Sequence, residues 1–281
     1  MIKSVLIGQP DDVELYAKLM DQINYFGKTT SIIVDLNRST LPDVDFSKFD
    51  AILFISPLDE IKYLIENAIR RKANIYFTDQ PSLTVDETTE LLTLHSESNN
   101  LLFPEARELN HPLVQDFIDT NSHHLLFRYN KTIAEKKQIR QALYNALCFL
   151  TILSPMQVKM IDINSIATTN KGRPAFKIRL KMFDSSIGYI FLKMGMINNH
   201  SIILESKIGN FTFNFTDSYL ENAHGVRFNC QPTTEEDILK KTLEQFALSI
   251  ILNKKPTYNF YHYTLVSHLL VKIENIILLN L

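Results

Sequence analysis

The sequence has little cysteine, little glycine in its first half and no tryptophan. Cys148 and Cys230 are the two cysteines among 281 residues. This count excludes a disulfide framework and a cysteine-rich zinc site. We interpret the two cysteines as free thiols in a reducing compartment. The formal net charge of −2 does not favour binding to nucleic acid. No apolar run approaches the length of a membrane-spanning helix. These absences predict a cytoplasmic protein that binds neither nucleic acid nor membrane.

Glycine is scarce where a nucleotide-binding loop would need it. Only Gly8 and Gly27 precede Gly172, and glycine is the residue that lets backbone approach a phosphate closely. Histidine gives no metal signal either, because His123 and His124 would point to opposite faces of a strand. None of the eight histidines has convincing metal-ligand spacing. We therefore predict no metal site.

The first part of the chain alternates strand patterns with helix patterns. Three helical stretches separate apolar runs, and the third begins with the capping-box sequence Thr84 to Glu87. Strands separated by helices of this length predict parallel βαβ units. Residues 1–121 are therefore predicted to form an α/β domain with a Rossmann-like, doubly wound parallel sheet. The apolar runs read SVLI, SIIVDL, AILFIS, NIYFT and NLLF.

After His123 the pattern changes to consecutive strands. A helical segment from Ala134 to Leu153 is followed by five strand-like runs with short turns, and two further helices close the chain. Consecutive strands with short connections are typical of an antiparallel sheet. Residues 122–281 are therefore predicted to form an α+β domain with an open, mostly antiparallel sheet.

Four stretches, taken in order, are similar to those of one enzyme family. Residues 49–57 read FDAILFISP, residues 67–92 carry Asp79-Gln80-Pro81, residues 106–117 read ARELNHPLVQDF, and a late helix ends before Pro256. Their order and spacing resemble the glucose–fructose oxidoreductase and inositol dehydrogenase (Gfo/Idh/MocA) family, to which biliverdin reductase is related. The resemblance spans almost the whole chain. It implies an N-terminal domain that binds NAD or NADP.

The resemblance also shows where the sequence departs from the family. The family's G-x-G-x-x-[GA] fingerprint falls on Gly8, Pro10 and Val13. Pro10 removes a backbone donor, and Val13 adds bulk where a small residue allows close packing. Asp11 and Asp12 then lie at the helix N-terminus, where a phosphate would bind. We interpret these carboxylates as occupants of the anion's place in a helix that holds no ligand.

The same resemblance implies a set of cofactor-binding residues. They are Gly8, Asp35, Ser56, Pro57, Asp79 and Pro81. An acidic residue that ends the second strand suits the ribose diol of NAD, although Asp35 is equally interpreted as a turn residue. Nearby Arg38 would suit a 2′-phosphate, so the choice between NAD and NADP stays open.

The positions of catalysis are changed as well. The family's Glu-Lys-Pro lysine is replaced by Gln80, which cannot supply a proton at neutral pH. The helix that carries the family's histidine contains none here, and Tyr144 lies near its place. Tyr144 is a candidate for proton transfer or, as the favoured interpretation, a packing residue. Arg107, after the fifth strand, is a candidate for binding an anionic substrate or, equally, for an ion pair with Glu105.

Two functional hypotheses follow. The first is a relative with a degenerate active site that acts by binding a small molecule or a protein partner, as a homodimer through the C-terminal sheet. The second is an NAD(P)-dependent oxidoreductase that acts on a sugar-like or other carbonyl substrate without the usual lysine and histidine. Three replacements at separate family positions favour the first.

Overall fold

The chain divides by its internal contacts into two compact units. The parallel-sheet unit comprises Met1–Asn110 and Glu235–Ser267, and the large-sheet unit comprises His111–Thr234 and His268–Leu281. The computed structural model describes residues 1–34, 44–56, 61–78, 83–112, 114, 124–135, 138–153, 157–167, 174–196, 199–206, 209–222 and 224–279.

Within these described residues, the third helix begins directly after Thr84 and the fourth ends at Leu153, as the sequence pattern predicts. The capping box is confirmed, because the Glu87 N–H donates to Thr84 Oγ1 at 3.3 Å and the Thr84 N–H donates to the Glu87 carboxylate at 2.7 Å. The helices are α1 (Pro10–Met20), α2 (Ile61–Arg70), α3 (Val85–Ser96), α4 (Gln138–Leu153), α5 (Glu235–Ile251) and α6 (Phe260–Leu279).

Five parallel strands form the first sheet, in the order β2-β1-β3-β4-β5. Every residue of β1 and β3 is buried, which explains why these strands read as continuous apolar runs. The strand order reverses between β1 and β3, and this switch point is where ligands bind in open α/β sheets. The strands are β1 (Ser4–Gly8), β2 (Thr30–Ile33), β3 (Ala51–Phe54), β4 (Asn74–Phe77) and β5 (Leu102–Pro104).

Helix α5 belongs to the parallel-sheet unit although it follows the second sheet along the chain. Leu239, Leu243 and Phe246 lie on one face of α5 and join the core cluster around α1 and the parallel strands. The Phe246 ring centroid lies 5.4 Å from that of Tyr76 and 5.5 Å from that of Phe103. The sequence-based boundary at residues 121 and 122 remains a prediction, and these contacts associate α5 with the earlier part of the chain.

The large-sheet unit is built on eight strands in the order β13-β12-β11-β10-β6-β9-β8-β7. Strands β6 and β9 are parallel, and the other neighbouring pairs are antiparallel. The strands are β6 (His124–Ile133), β7 (Val158–Ala167), β8 (Pro174–Met182), β9 (Ile187–Met194), β10 (His200–Ser206), β11 (Gly209–Asn214), β12 (Tyr219–Glu221) and β13 (Arg227–Asn229).

One face of this sheet is covered by α4, in which every residue from Ala142 to Thr151 is buried. A Cβ added at Gly188 would lie 3.0 Å from Leu150 Cδ1, so glycine at this position of β9 lets the helix approach the sheet. Buried and half-buried residues alternate along β8 and β9, as expected of a sheet covered on one face. The two sheets confirm the predicted fold class. None of the helices in the described ranges is long and apolar enough to cross a bilayer.

Candidate functional site

The carboxyl ends of β1 and β3 bring two of the predicted cofactor-binding residues together. Gly8 ends β1, and Ser56 follows β3 by two residues. The two strands are neighbours in parallel register, with Ile7 opposite Phe54, so both residues lie at the switch point of the sheet. This edge is where a dinucleotide binds in doubly wound folds.

Glycine is required at position 8 by the approach of the next strand. A Cβ at Gly8 would lie 2.6 Å from Ser56 Oγ and 2.7 Å from Ile55 Cγ1. Real Cβ atoms do not come so close to neighbouring atoms, so a larger residue would push the turn away from the end of β3. The first glycine of the fingerprint is therefore explained by packing within the protein, whether or not a ligand binds.

A chain of hydrogen bonds closes the turn between β1 and α1. The Gln9 N–H donates to Ser56 Oγ at 2.8 Å, and the Ser56 hydroxyl donates to Asp12 Oδ2 at 2.6 Å. The Val13 N–H donates to the Gln9 carbonyl oxygen at 2.9 Å, and Pro10 has no N–H to offer. The turn therefore directs one of its backbone donors to a side chain of the protein, and Ser56 is buried.

The charge of this turn is negative. Asp11 and Asp12 occupy the first turn of α1, where carboxylates interact favourably with the positive end of the helix dipole. Asp12 takes its hydrogen bond from Ser56, so its carboxylate is oriented into the turn. A pyrophosphate would need the same amides and the same dipole. As placed, these side chains stabilise the helix end themselves, and their geometry does not fit a second anion.

Five predicted site residues cannot be placed. Asp35, Pro57, Asp79, Gln80 and Pro81 lie outside the described residues. Their assignments to cofactor binding or, for Gln80, to catalysis remain predictions from the sequence.

Arg107 lies beyond the carboxyl end of β5 and pairs with Glu105. Its Nε donates to Glu105 Oε1, and its Nη2 donates to the Tyr16 hydroxyl at 3.0 Å. The carboxylate of Glu105 is fully buried, whereas 37% of the Arg107 side chain is exposed. The ion pair that the sequence offered as one of two interpretations is therefore present. The role of Arg107 in binding a substrate stays a prediction.

Two tyrosines complete this buried network and were not identified from the sequence. The hydroxyl of Tyr16 on α1 donates to Glu105 Oε2 at 2.6 Å, and the hydroxyl of Tyr76 on β4 donates to the same oxygen. Burial, followed by the charge of Glu105, raises the pKa of both tyrosines well above the usual value. Both side chains therefore remain protonated donors and cannot release a proton near neutral pH.

Tyr144 lies in the middle of the buried segment of α4, in the large-sheet unit. Its side chain is 2% exposed, which agrees with the interpretation as a packing residue. Proton transfer by Tyr144 remains a prediction. The sequence QIRQALYNALCFLTIL of α4 contains no histidine, and the described part of the chain has no group of three or more His, Cys, Asp or Glu residues that could hold a metal ion.

The two units have the fold of two-domain dehydrogenases. The first turn of this chain is acidic and is closed by the hydrogen bonds of Ser56. Solved structures with this fold include the UDP-N-acetylglucosamine 3-dehydrogenase GnnA from Acidithiobacillus ferrooxidans, at a TM-score of 0.80 and 11% identity, with 96% of each chain covered. A dehydrogenase (MviM) from Clostridium difficile has the same fold at a TM-score of 0.75 and 16% identity, with 98% of this chain and 99% of that chain covered.

A third structure has the same fold and was solved with ligands. The biliverdin reductase from Synechocystis sp. PCC 6803, in complex with biliverdin and NADP⁺, gives a TM-score of 0.68 and 12% identity, with 95% of this chain and 96% of that chain covered. No family sequence model and no curated protein sequence matches the chain. The predicted resemblance to Gfo/Idh/MocA dehydrogenases is thus confirmed at the level of the fold.

Proposed function

We propose that the chain is a dehydrogenase-fold protein that acts by binding a ligand or partner and has lost nicotinamide-dependent hydride transfer. The observation that carries this proposal is the hydrogen-bond chain from the Gln9 N–H through Ser56 to Asp12. It occupies the turn in which this fold class holds the pyrophosphate of a dinucleotide.

The electrostatics of the turn support the same conclusion. A phosphate about 4 Å from one carboxylate would meet roughly 4 kcal/mol of repulsion at an effective dielectric constant near 20. Asp11 and Asp12 are both in this turn, and a ligand would also have to separate the Gln9 N–H from Ser56. Gln80 stands at the place of the family's lysine, and α4 contains no histidine. Both changes remove proton-transfer groups and so support the loss of hydride transfer.

The second candidate is an NAD(P)-dependent oxidoreductase acting on a sugar-like or other carbonyl substrate. The fold shared with dehydrogenases, including a reductase solved with NADP⁺, favours it. Hydride transfer depends mainly on positioning of the cofactor against the substrate, and water or the substrate can supply the proton. This candidate requires that the turn opens to admit the pyrophosphate.

Calorimetric titration with NADH and with NADPH tests the proposal. We expect no binding of either by the wild-type protein up to millimolar concentration. The double variant Pro10→Gly/Asp12→Asn should gain measurable binding, because it restores a backbone donor and removes one carboxylate from the turn. Nicotinamide fluorescence provides an independent readout that does not depend on protein tryptophan, which is absent.

The matched control is Asp21→Asn, which removes the same charge from the other end of α1. It should leave cofactor binding as it is in the wild type. Micromolar binding of NADH or NADPH by the wild-type protein, or reduction of a carbonyl substrate with either, would overturn the proposal and favour the second candidate.

A further inference from the structure

A groove of about 830 Å³ opens in the parallel-sheet unit between the end of α3 and the connection from α5 to α6. Asn74, at the start of β4, and Leu102, at the start of β5, contribute to it. Because the strands are parallel, this amino-terminal edge of the sheet is opposite to the edge that carries Gly8 and Ser56. The groove is therefore separate from the first βα turn, and its volume is in the range of small-molecule sites.

Polar and apolar side chains both line the groove, and the two permanently charged residues among the described lining are cationic. Five asparagines, three serines, His95, Lys254 and Lys255 contribute to it. No aspartate or glutamate is among the described residues that line it. Within that described part of the chain, neither lysine has a carboxylate partner. Two uncompensated ammonium groups beside a cavity favour an anionic ligand.

Two of the asparagine side chains that line the groove, Asn74 and Asn100, are held by hydrogen bonds within the protein. Asn74 Nδ2 donates to the Asp50 carbonyl oxygen at 2.9 Å, and the Leu101 N–H donates to Asn74 Oδ1 at 3.0 Å. Asn100 Nδ2 donates to the Ala73 carbonyl oxygen at 2.7 Å. Side chains that are already fixed lower the ordering cost of binding.

The end of α5 fixes the backbone that carries the lysine pair at the groove. Asn253 adopts a left-handed conformation, with φ of 48°, and the Lys254 N–H donates back to the Ser249 carbonyl oxygen at 3.0 Å. This is the Schellman arrangement that ends a helix, and Pro256 follows it. Lysines at a helix end commonly interact with the helix dipole only. Here they also border a groove whose described lining contains neither aspartate nor glutamate.

Two ring side chains give the groove a second recognition element. Tyr261 is 53% exposed, and its N–H is fixed by Asn259 Oδ1 at 3.0 Å at the start of α6. His95 on α3 is partly buried; burial, with a further contribution from the charge of Lys255, lowers its pKa, against a hydrogen bond to Asn100. An exposed aromatic face together with amide and hydroxyl groups suits a polyhydroxylated ring.

We infer that this groove binds a phosphorylated sugar-sized molecule, with Lys254 and Lys255 on the phosphate and Tyr261 against the ring. The site does not involve the turn at Gly8, so it exists independently of whether a dinucleotide binds there. The two lysine ammonium groups bind the phosphate, and the hydroxyl groups of the sugar contact the polar side chains that line the groove.

Calorimetric titration of the full chain with glucose 6-phosphate tests this inference, with inorganic phosphate and glucose as separate titrants. We expect glucose 6-phosphate to bind more tightly than either. The double variant Lys254→Gln/Lys255→Gln should weaken that binding at least tenfold. The imidazole NMR signals of His95, assigned with His95→Gln, should shift during the titration and place the ligand in the groove.

The matched control is Lys240→Gln/Lys241→Gln, which removes the same charge from α5 itself, away from the groove. It should bind as the wild type does. Absence of binding at millimolar glucose 6-phosphate, or equal loss in both double variants, would overturn the inference; binding no tighter than that of inorganic phosphate would overturn its sugar part. If Lys254→Gln/Lys255→Gln still binds NADH or NADPH by calorimetry, that binding is assigned to the first βα turn. It then tests the proposed function and not the groove.

Discussion

Glu105 places a carboxylate in the interior of the parallel-sheet unit, where it accepts hydrogen bonds from Tyr16 and Tyr76 and pairs with Arg107. Replacement by alanine would leave two buried hydroxyl groups and a half-buried guanidinium without their acceptor. We expect Glu105→Ala to lower the free energy of unfolding by about 3 kcal/mol. Glu105→Gln keeps an acceptor oxygen and should cost less. Urea denaturation measures both.

The control for this prediction is Glu14→Ala, on the exposed face of α1. A surface substitution of this kind should change stability by no more than about 0.5 kcal/mol. If Glu105→Ala lost no more stability than Glu14→Ala, the buried network would not contribute to folding as described.

The same network predicts how stability depends on alkaline pH. Burial, followed by the charge of Glu105, raises the pKa of Tyr16 and Tyr76 in the folded chain, whereas in the unfolded chain both ionise near pH 10. Their stabilising contribution is therefore complete below about pH 10 and is lost as pH rises above it, by up to about 1.4 kcal/mol per pH unit for each tyrosine.

Denaturation midpoints measured across the alkaline range test this pH dependence. Tyr76→Phe should make the alkaline loss of stability shallower, because phenylalanine has no proton to release. Tyr25→Phe, at a residue that is 39% exposed, should leave the slope as it is in the wild type. Equal slopes in all three proteins would contradict the prediction.

Sequence alone could identify the residues of the turn and offer the Arg107–Glu105 pair, but it could not identify the two tyrosines of the buried network. Gly8 ends β1, and Asp11 and Asp12 follow within four residues, so their place in one strand-to-helix turn was predictable from their order. Tyr16 and Glu105 are 89 positions apart, and no periodicity links them. Ser56 was singled out as a cofactor-binding residue, but its bond to Asp12 depends on the register of β1 and β3, which no sequence pattern gives.

At the scale of elements, the start of α3 depends on Thr84. Its hydroxyl accepts the Glu87 N–H, and the Glu87 carboxylate accepts the Thr84 N–H. We expect Thr84→Ala to lower the free energy of unfolding by about 1 kcal/mol, because the Glu87 N–H loses its acceptor. Thermal or urea unfolding followed by circular dichroism measures it.

Thr93→Ala on the same helix is the matched control. Its exposed hydroxyl donates to the Thr89 carbonyl oxygen within the helix, a bond that adds little to helix stability. Alanine has the higher helix propensity, so Thr93→Ala should be neutral or slightly stabilising. Equal losses in the two variants would mean that the box does not define the helix start.

Elements were predictable where the signal is local, and their assignment to units was not. The alternation of strands and helices, the capping box and the late strands all follow from short-range patterns. Helix α5 carries an equally clear apolar stripe, but its sequence does not say which sheet will cover it. The contacts of Leu243 and Phe246 with the parallel-sheet core decide which sheet covers α5. The core residues that they contact lie far from α5 along the chain.

At the scale of the whole molecule, the chain shares its fold with the three solved structures named above at identities of 11% to 16%. Apolar character at buried positions suffices to keep a fold, because cores tolerate exchange among hydrophobic residues of similar volume. A functional turn has no such tolerance. The acidic turn after β1 is therefore informative about activity in a way that the shared fold is not.

The outer face of the large sheet bears on the predicted homo-oligomer. On β8 and β9 it carries Tyr189 and Phe191, whose ring centroids are 6.0 Å apart, with Lys177 Nζ above both rings. The Nε atom of Arg179, on the same face, is buried and has no hydrogen-bond partner among the described residues. Half-buried aromatic rings and an unmet donor suit an isologous interface with a second copy of the chain.

We therefore expect the purified protein to be a homodimer by light scattering, and Phe191→Glu to dissociate it, because the new carboxylate would be buried against its own symmetry mate. Tyr63→Glu makes the same kind of change at an aromatic residue that is 65% exposed on α2, and it should leave the dimer intact. A wild-type monomer at every concentration, or a Phe191→Glu protein that stays dimeric, would show that this face does not join two chains. Since the dimer would form on the large-sheet unit, its loss should leave the binding of glucose 6-phosphate to the groove of the parallel-sheet unit unchanged.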